Sequence, residues 1–208
     1  MKPVVLAAGP HPDDIEIGCG GTLIKLSEKF DIHMLVLTEG DAVSGNRRKE
    51  QEKSAGVLNA AGLWWGNYKD TDIPYSKELI MFLEEKIREL DPVLIFTNYY
   101  RDTHQDHRAL ANNIQSATRY SRNVLYYEVP TSIDFTPSVF TNIERVWEKK
   151  KELLRAHSSQ VEATRISGLS ILESAEACAI FRGYQGRSKY SEGFIPLRLS
   201  LDWTRELL

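Results

Sequence analysis

The chain of 208 residues carries 26 Lys and Arg against 29 Asp and Glu, a net charge of −3, and 42% of its residues are hydrophobic. That length suits one domain able to bury roughly 70% of its unfolded surface, and the near-balanced charge, with basic runs only at Arg47–Arg48 and Lys149–Lys151, argues against nucleic acid as a partner. Two cysteines far apart, Cys19 and Cys178, argue against a disulfide framework; no apolar run approaches the ~20 residues of a membrane span, so a cytoplasmic location is expected.

Val4 to Ala8 and Ile32 to Leu37 are apolar runs of strand length, and Leu23, Leu26 and Phe30 share one face of a helix read over 22–30, giving a β-α-β unit. A polar loop over 39–46 leads to a helix from Arg47 to Ala60, with Gly62 in the place of a C-terminal stop and Leu63 to Gly66 as a short strand. Ser76 caps a helix in which Leu79, Ile80, Leu83, Ile87 and Leu90 recur at three and four, and Asp91-Pro92 ends it ahead of a strand, Val93 to Phe96. Thr103 is the expected cap of a helix reaching Thr118, followed by a Val- and Tyr-rich strand from Asn123 to Val129. Asn142 to Ala156 has helical apolar spacing, Ser170 and Glu173 form a capping box for a helix toward Arg182, and Phe194 to Leu199 reads as a last strand. The alternation predicts an α/β, Rossmann-like fold: a mainly parallel sheet, helices on both faces, and a site at the C-terminal ends of the strands.

Two clusters sit where such a site belongs. Pro10-His11-Pro12-Asp13-Asp14 leaves the first strand, and His104-Gln105-Asp106-His107 follows the strand ending at Phe96; together they read as one metal site. A catalytic zinc takes three protein ligands from His and Asp or Glu and keeps a fourth position for water. His104 and His107, three apart on one helix face, allow one to bind metal while the other points at a ligand, and Asp106 can orient a histidine by accepting its second N–H. Carboxylates buried this densely would be costly without a cation, whereas His33 and His157 read as ordinary core or surface residues. Gly18-Cys19-Gly20-Gly21 lacks the third glycine of a dinucleotide fingerprint, since position 23 is Leu23; close helix–strand packing accounts for it at least as well as amides facing a substrate oxygen.

His11-Pro-Asp-Asp14, followed by Gly18-Cys-Gly-Gly-Thr22 and later by His104-x-Asp-His107, resembles the motifs of the LmbE-like (PIG-L) superfamily of zinc-dependent N-deacetylases, which act mostly on N-acetylglucosamine-type sugars. Arg47-x-x-Glu50, His157-Ser-Ser-Gln160, Phe181-Arg-Gly183 and Tyr190-x-Glu192-x-Phe194 extend the resemblance less specifically along the chain. It departs from the pattern of some members at Ile15, where they place an acid, and at Asp102, where they place an aromatic.

The resemblance implies a single LmbE-like deacetylase domain over residues 1–208. It makes His11, Asp14 and His107 the ligands of Zn2+, or of Fe2+ in its place, Asp13 the general base, and His104 the donor to the oxyanion. A small-molecule N-acetylated sugar is the expected substrate. In this reading Asp106 holds a protonated His104 and raises its pKa. Arg47 is the expected substrate-binding residue outside the two motifs, its guanidinium suited to hydroxyls or a phosphate. Asp102, beside Arg101, is expected to contact sugar hydroxyls or to form a surface pair. An amidase for thiol-sugar conjugates would need the same chemistry at the metal; a non-haem iron oxygenase and a non-catalytic sugar- or nucleotide-binding module share parts of the pattern, and a homo-oligomeric state stays open.

Overall fold

Val5, Leu6, Ala7 and Ala8 are each no more than 1% exposed, so the first strand is covered on both faces and occupies the middle of a sheet. The computed structural model describes residues 2–40, 46–161, 164, 166–200 and 202. Among them β1 (Val4–Gly9), β2 (Asp31–Thr38), β3 (Gly62–Tyr68), β4 (Leu94–Asn98), β5 (Val124–Tyr127), β6 (Val139–Asn142) and β7 (Ser191–Arg198) form a seven-stranded sheet in the order β3-β2-β1-β4-β5-β7-β6. The first five in that order run parallel, whereas β7 is antiparallel to both β5 and β6.

Alternation along β1 divides the core. Val5 and Ala7 join the cluster containing Ile15, Cys19 and Leu23 of α1 (Asp14–Leu26), Ala55 and Leu58 of α2 (Arg47–Leu58), and Leu153 of α5 (Trp147–Ala156). Leu6 and Ala8 face Leu79 and Leu83 of α3 (Lys77–Leu90) and Leu110 and Ile114 of α4 (Gln105–Ala117). A final helix, α6 (Ile171–Gly186), precedes β7. Because β1 lies between β2 and β4, the chain order reverses there, and the crevice beyond the carboxyl ends of β1 and β4 is the place where such sheets bind ligands.

Ser76 caps α3, accepting from the Leu79 amide at 3.2 Å, and Ser170 and Glu173 make the capping box of α6. Other boundaries differ from the sequence expectation. The first helix begins at Asp14 rather than at 22, through glycines that cost about 1 kcal/mol each relative to Ala in a helix interior. Close packing requires them: a Cβ on Gly18 would stand 2.0 Å from the Tyr127 ring. The left-handed stop of α2 is Asn59 at φ 56°, and Gly62 instead opens β3. His104, not Thr103, caps α4, and 139–142 is a strand pairing with β7 before a 3₁₀ turn, Glu144–Val146, leads into α5. Of the polar loop read over 39–46, residues 41–45 lie outside the described residues. No helix among the described residues is long and apolar enough to cross a membrane.

Candidate functional site

The chain leaves β1 through Pro10-His11-Pro12 and enters α1 at Asp13, whose backbone has φ 92° and ψ −28°. A residue other than glycine stays in that conformation only where its surroundings impose it. The Asp13 amide donates to Gln51 Oε1 at 3.3 Å, and Gln51 Nε2 donates to Glu16 Oε1 at 2.7 Å, which also accepts from the Ser54 hydroxyl at 2.6 Å. His157 Nε2 lies 3.2 Å from the same Glu16 oxygen, at ion-pair distance but out of line for a hydrogen bond. Glu16, Gln51, Ser54 and His157 are all buried, so His157 is a core residue, as read from the sequence, and belongs to a polar network beneath Asp13.

The two motifs meet at Asp14. Its Oδ2 accepts from the His11 amide at 3.0 Å and lies 3.2 Å from His11 Nδ1 and 3.4 Å from His107 Nε2. The outer nitrogens of both imidazoles are held by other carboxylates. His11 Nε2 is 3.1 Å from Asp106 Oδ2 and 3.1 Å from Asp70 Oδ1, and His107 Nδ1 is 3.1 Å from Asp102 Oδ2. Asp106 also accepts from the Thr71 and Ile73 amides, and Asp102 from the His104 amide and the Ser132 hydroxyl.

This donor set fits a divalent ion. Ligand atoms about 2.0 to 2.1 Å from a tetrahedral centre stand about 3.3 Å apart, the spacing of Asp14 Oδ2 from the two inner nitrogens. Outer nitrogens fixed by carboxylates are what a metal-binding histidine requires, since they set its tautomer and aim its other lone pair. His11, His104 and His107 also offer ligand atoms within 4.8 Å of one another, as do His11, Asp70 and Asp106. In the second group, however, Asp106 is fully buried and bound to two backbone amides, which suits it to hold His11 in place.

Burial and charge set the protonation of each group. Burial alone would raise the Asp14 carboxyl, but the His107 and His11 imidazoles outweigh it and hold Asp14 well below the usual carboxylate range. Against the opposing effect of burial, Asp106, Asp14 and Asp70 raise His11, and Asp14 and Asp102 raise His107. Asp13 behaves differently. Desolvation dominates, aided by the neighbouring Asp14 and opposed by Arg47, and its pKa is pushed up to about 6. Two adjacent aspartates thus have opposite tendencies, one fixed as an anion and one able to exchange a proton near neutrality.

His104 contradicts the expectation of an imidazolium held by Asp106. Its Nδ1 accepts from the Asp106 amide at 3.2 Å while the Asp106 carboxylate turns to His11. Burial and the adjacent His11 and His107 lower its pKa below the ordinary value, and Asp106 only partly offsets them. With Nδ1 as acceptor the neutral ring carries its proton on Nε2, which makes His104 a neutral donor.

His11, Asp13, Asp14, Arg47, Asp70, His104 and His107 line one side of an open cleft of about 370 Å³. Ile17, Val129, Pro130, Ile166, Leu169 and Ile171 make its apolar side. Arg47 donates from Nη2 to the Pro12 carbonyl at 2.6 Å and lies 3.3 Å from Asp13 Oδ1, leaving its buried Nε without a partner among the described residues. Gly40, at φ 74°, makes room for it, since a Cβ there would meet the guanidinium at 2.5 Å. Asp102 does not line this cleft: its side chain is fully buried and occupied by His107, His104 and Ser132, which replaces the expected contact with sugar hydroxyls. Arg101 pairs instead with Asp134 at the surface. Asp70 is a site residue the sequence reading missed; its only signal was an aspartate on the exit loop of β3. The glycine-rich stretch offers no amide to the cleft at Gly21, which donates to Glu192 Oε1 at 2.8 Å.

A doubly wound sheet with a histidine–aspartate centre at its switch point defines the class of protein. Residues 6–118 match the family described as PIG-L, GlcNAc-PI de-N-acetylase, and the chain belongs to this family, also called LmbE-like. It is 32% identical to the uncharacterized deacetylase YaiS of Escherichia coli, with 74% of this chain and 90% of the relative covered. It is 30% identical to the diacetylchitobiose deacetylase of Thermococcus kodakarensis, over 92% of this chain and 83% of the relative. The structure of the N,N'-diacetylchitobiose deacetylase of Pyrococcus horikoshii superposes with a TM-score of 0.79 at 26% identity, covering 93% and 83% of the two chains.

Proposed function

We propose that residues 1–208 act as one domain hydrolysing the N-acetyl group of an N-acetylglucosamine-type sugar or sugar conjugate, with His11, Asp14 and His107 holding a divalent ion. The observation that carries this reading is the convergence of both imidazoles on Asp14, with the buried Asp13 carboxylate beside it. The mixed nitrogen and oxygen donors favour zinc, with ferrous iron as the alternative. A divalent ion bound there would make a water molecule acidic and polarise an amide carbonyl.

The chain's own residues supply the rest. Asp13, buried next to Asp14, takes a proton from the attacking water and returns one to the leaving amine. His104 donates from Nε2 to the carbonyl oxygen as charge develops on it, a kind of contact typically worth about 3 to 4 kcal/mol. Arg47, which lines the cleft on the Asp13 side, binds hydroxyls or an anionic group on the sugar. The relatives named above, two of them diacetylchitobiose deacetylases, support a sugar substrate. Cys19 and Cys178 are both free thiols, in keeping with a reducing compartment such as the cytoplasm.

The test is release of acetate from a panel of free, nucleotide-linked, disaccharide and other conjugated N-acetylglucosamines by zinc- and iron-loaded protein. Turnover of at least one member is expected. No acetate from any of them, with metal bound, would refute the reading.

A further inference from the structure

Behind the apolar side of the cleft lies a second hollow of about 170 Å³, enclosed between α1, the β5 exit, α6 and β7. Ile17, Val129, Pro130, Ile171 and Ser174 line both spaces, so the two adjoin. Ala175 and Ala179 of α6 and Gly193 of β7 also line the hollow.

The charges around the hollow are already engaged. Lys150 donates to Glu192 at 2.6 Å and to the Ile17 carbonyl at 2.8 Å, while Glu192 also accepts from the Gly21 and Thr22 amides. Arg182 makes a two-bond pair with Glu128 at 2.6 and 2.7 Å. Burial pushes the Cys178 thiol up to about 12, so it adds no charge. A charged ligand finds no free counter-ion here, whereas an apolar chain meets alanine, glycine, valine and isoleucine.

The hollow also lies on a definite side of the reacting centre. On the proposed reading Asp13 returns a proton to the leaving amine, so the amine half of the amide lies at the Asp13 and Arg47 end. Ser132, which lines the hollow, donates to Asp102, the carboxylate behind His107, and so belongs to the opposite end. Building on the deacetylase reading, we infer that this hollow receives the acyl chain of the substrate and admits N-acyl groups longer than acetyl. Hydrolysis of such a substrate breaks the C–N bond and forms a C–O bond from water to the acyl carbon. The chain leaves as a carboxylate and the amine as an ammonium that has taken up both protons of the water. At roughly 30 Å³ for each small group, 170 Å³ holds about five or six carbons.

Two measurements test this, one of them free of turnover. In the first, wild-type protein, Ala175→Phe and Cys178→Phe are titrated calorimetrically with acetate, butanoate, hexanoate and decanoate. Wild-type affinity should rise by up to about fourfold per methylene, at least tenfold in all from acetate to hexanoate, and stop rising by decanoate. Either variant, if folded by circular dichroism, should lose the gain. In the second, glucosamines carrying the same acyl groups are substrates: the variants should lose at least tenfold in kcat/KM on the hexanoyl compound and stay within twofold of wild type on the acetyl compound. Flat carboxylate affinity in wild type, or equal losses on all chain lengths, would overturn the inference while leaving the deacetylase reading intact. Chain-length-dependent binding without turnover of any acyl sugar would instead refute that reading alone.

Discussion

The exits of the parallel strands and the segment that runs from α5 into α6 build opposite sides of one cleft by different means. The exits of β1, β3 and β4 and the start of α2 bring His11, Asp13, Asp14, Arg47, Asp70, His104 and His107, whereas the lining from Gln160 to Ser174 is neutral. Strand exits can be packed with titratable groups because parallel neighbours sit within a few ångströms and each carboxylate finds a partner. The C-terminal segments supply contour and support, through Ile171 on the cleft and His157 beneath Asp13. On the proposed reading the first side carries the chemistry and, through Arg47, a contact to the sugar, while the second shapes the space beside it.

Mutations should separate the two. The largest effect is expected for His107→Ala, which removes one inner nitrogen from the Asp14 cluster; metal content by elemental analysis and turnover should both fall to background. Asp102→Asn removes the carboxylate behind that ring and should cost about 10- to 100-fold in metal affinity, measured by competition with a chelator.

A smaller, pH-dependent change is expected at His157. Burial alone would depress its pKa, but Glu16 and Asp13 raise it, so the folded state binds the proton more tightly than the unfolded chain does. The resulting stabilisation is complete below about pH 6.5 and is lost as pH rises through the raised folded pKa. The urea midpoint of wild type should thus exceed that of His157→Gln most at about pH 6 and by a shrinking margin toward about pH 9. A constant or growing margin would mean that the imidazole is neutral in the fold. Ser76→Ala, at the α3 cap and away from the cleft, should cost about 1 kcal/mol of stability in the same urea titrations and leave kcat and KM alone.

What could be read directly from the sequence follows the same division. The parallel βα order and the metal motifs were legible because a short buried strand delivers several polar residues within a few positions, as at His11 to Asp14. Contacts across long separations left no such trace. Gln51 and Glu16 are 35 residues apart and His157 lies far beyond both, yet they jointly hold the backbone of Asp13. Asp102 looked like a pocket residue because its burial depends on the bridge to Ser132, and Asp70 resembled an ordinary turn aspartate. β6 escaped notice because its four residues run directly into the turn before α5. The start of α1 was obscured by glycines whose reason is the Tyr127 ring on another strand.

In the proposed site Asp14 holds the metal while Asp13, one residue earlier, moves protons. Metal content and turnover measured side by side in Asp13→Asn and Asp14→Asn test this assignment most directly. Asp13→Asn should keep its metal and lose on the order of 10²- to 10⁴-fold in kcat, whereas Asp14→Asn should lose both. Equal metal loss in the two variants, or near-normal kcat in Asp13→Asn, would contradict it.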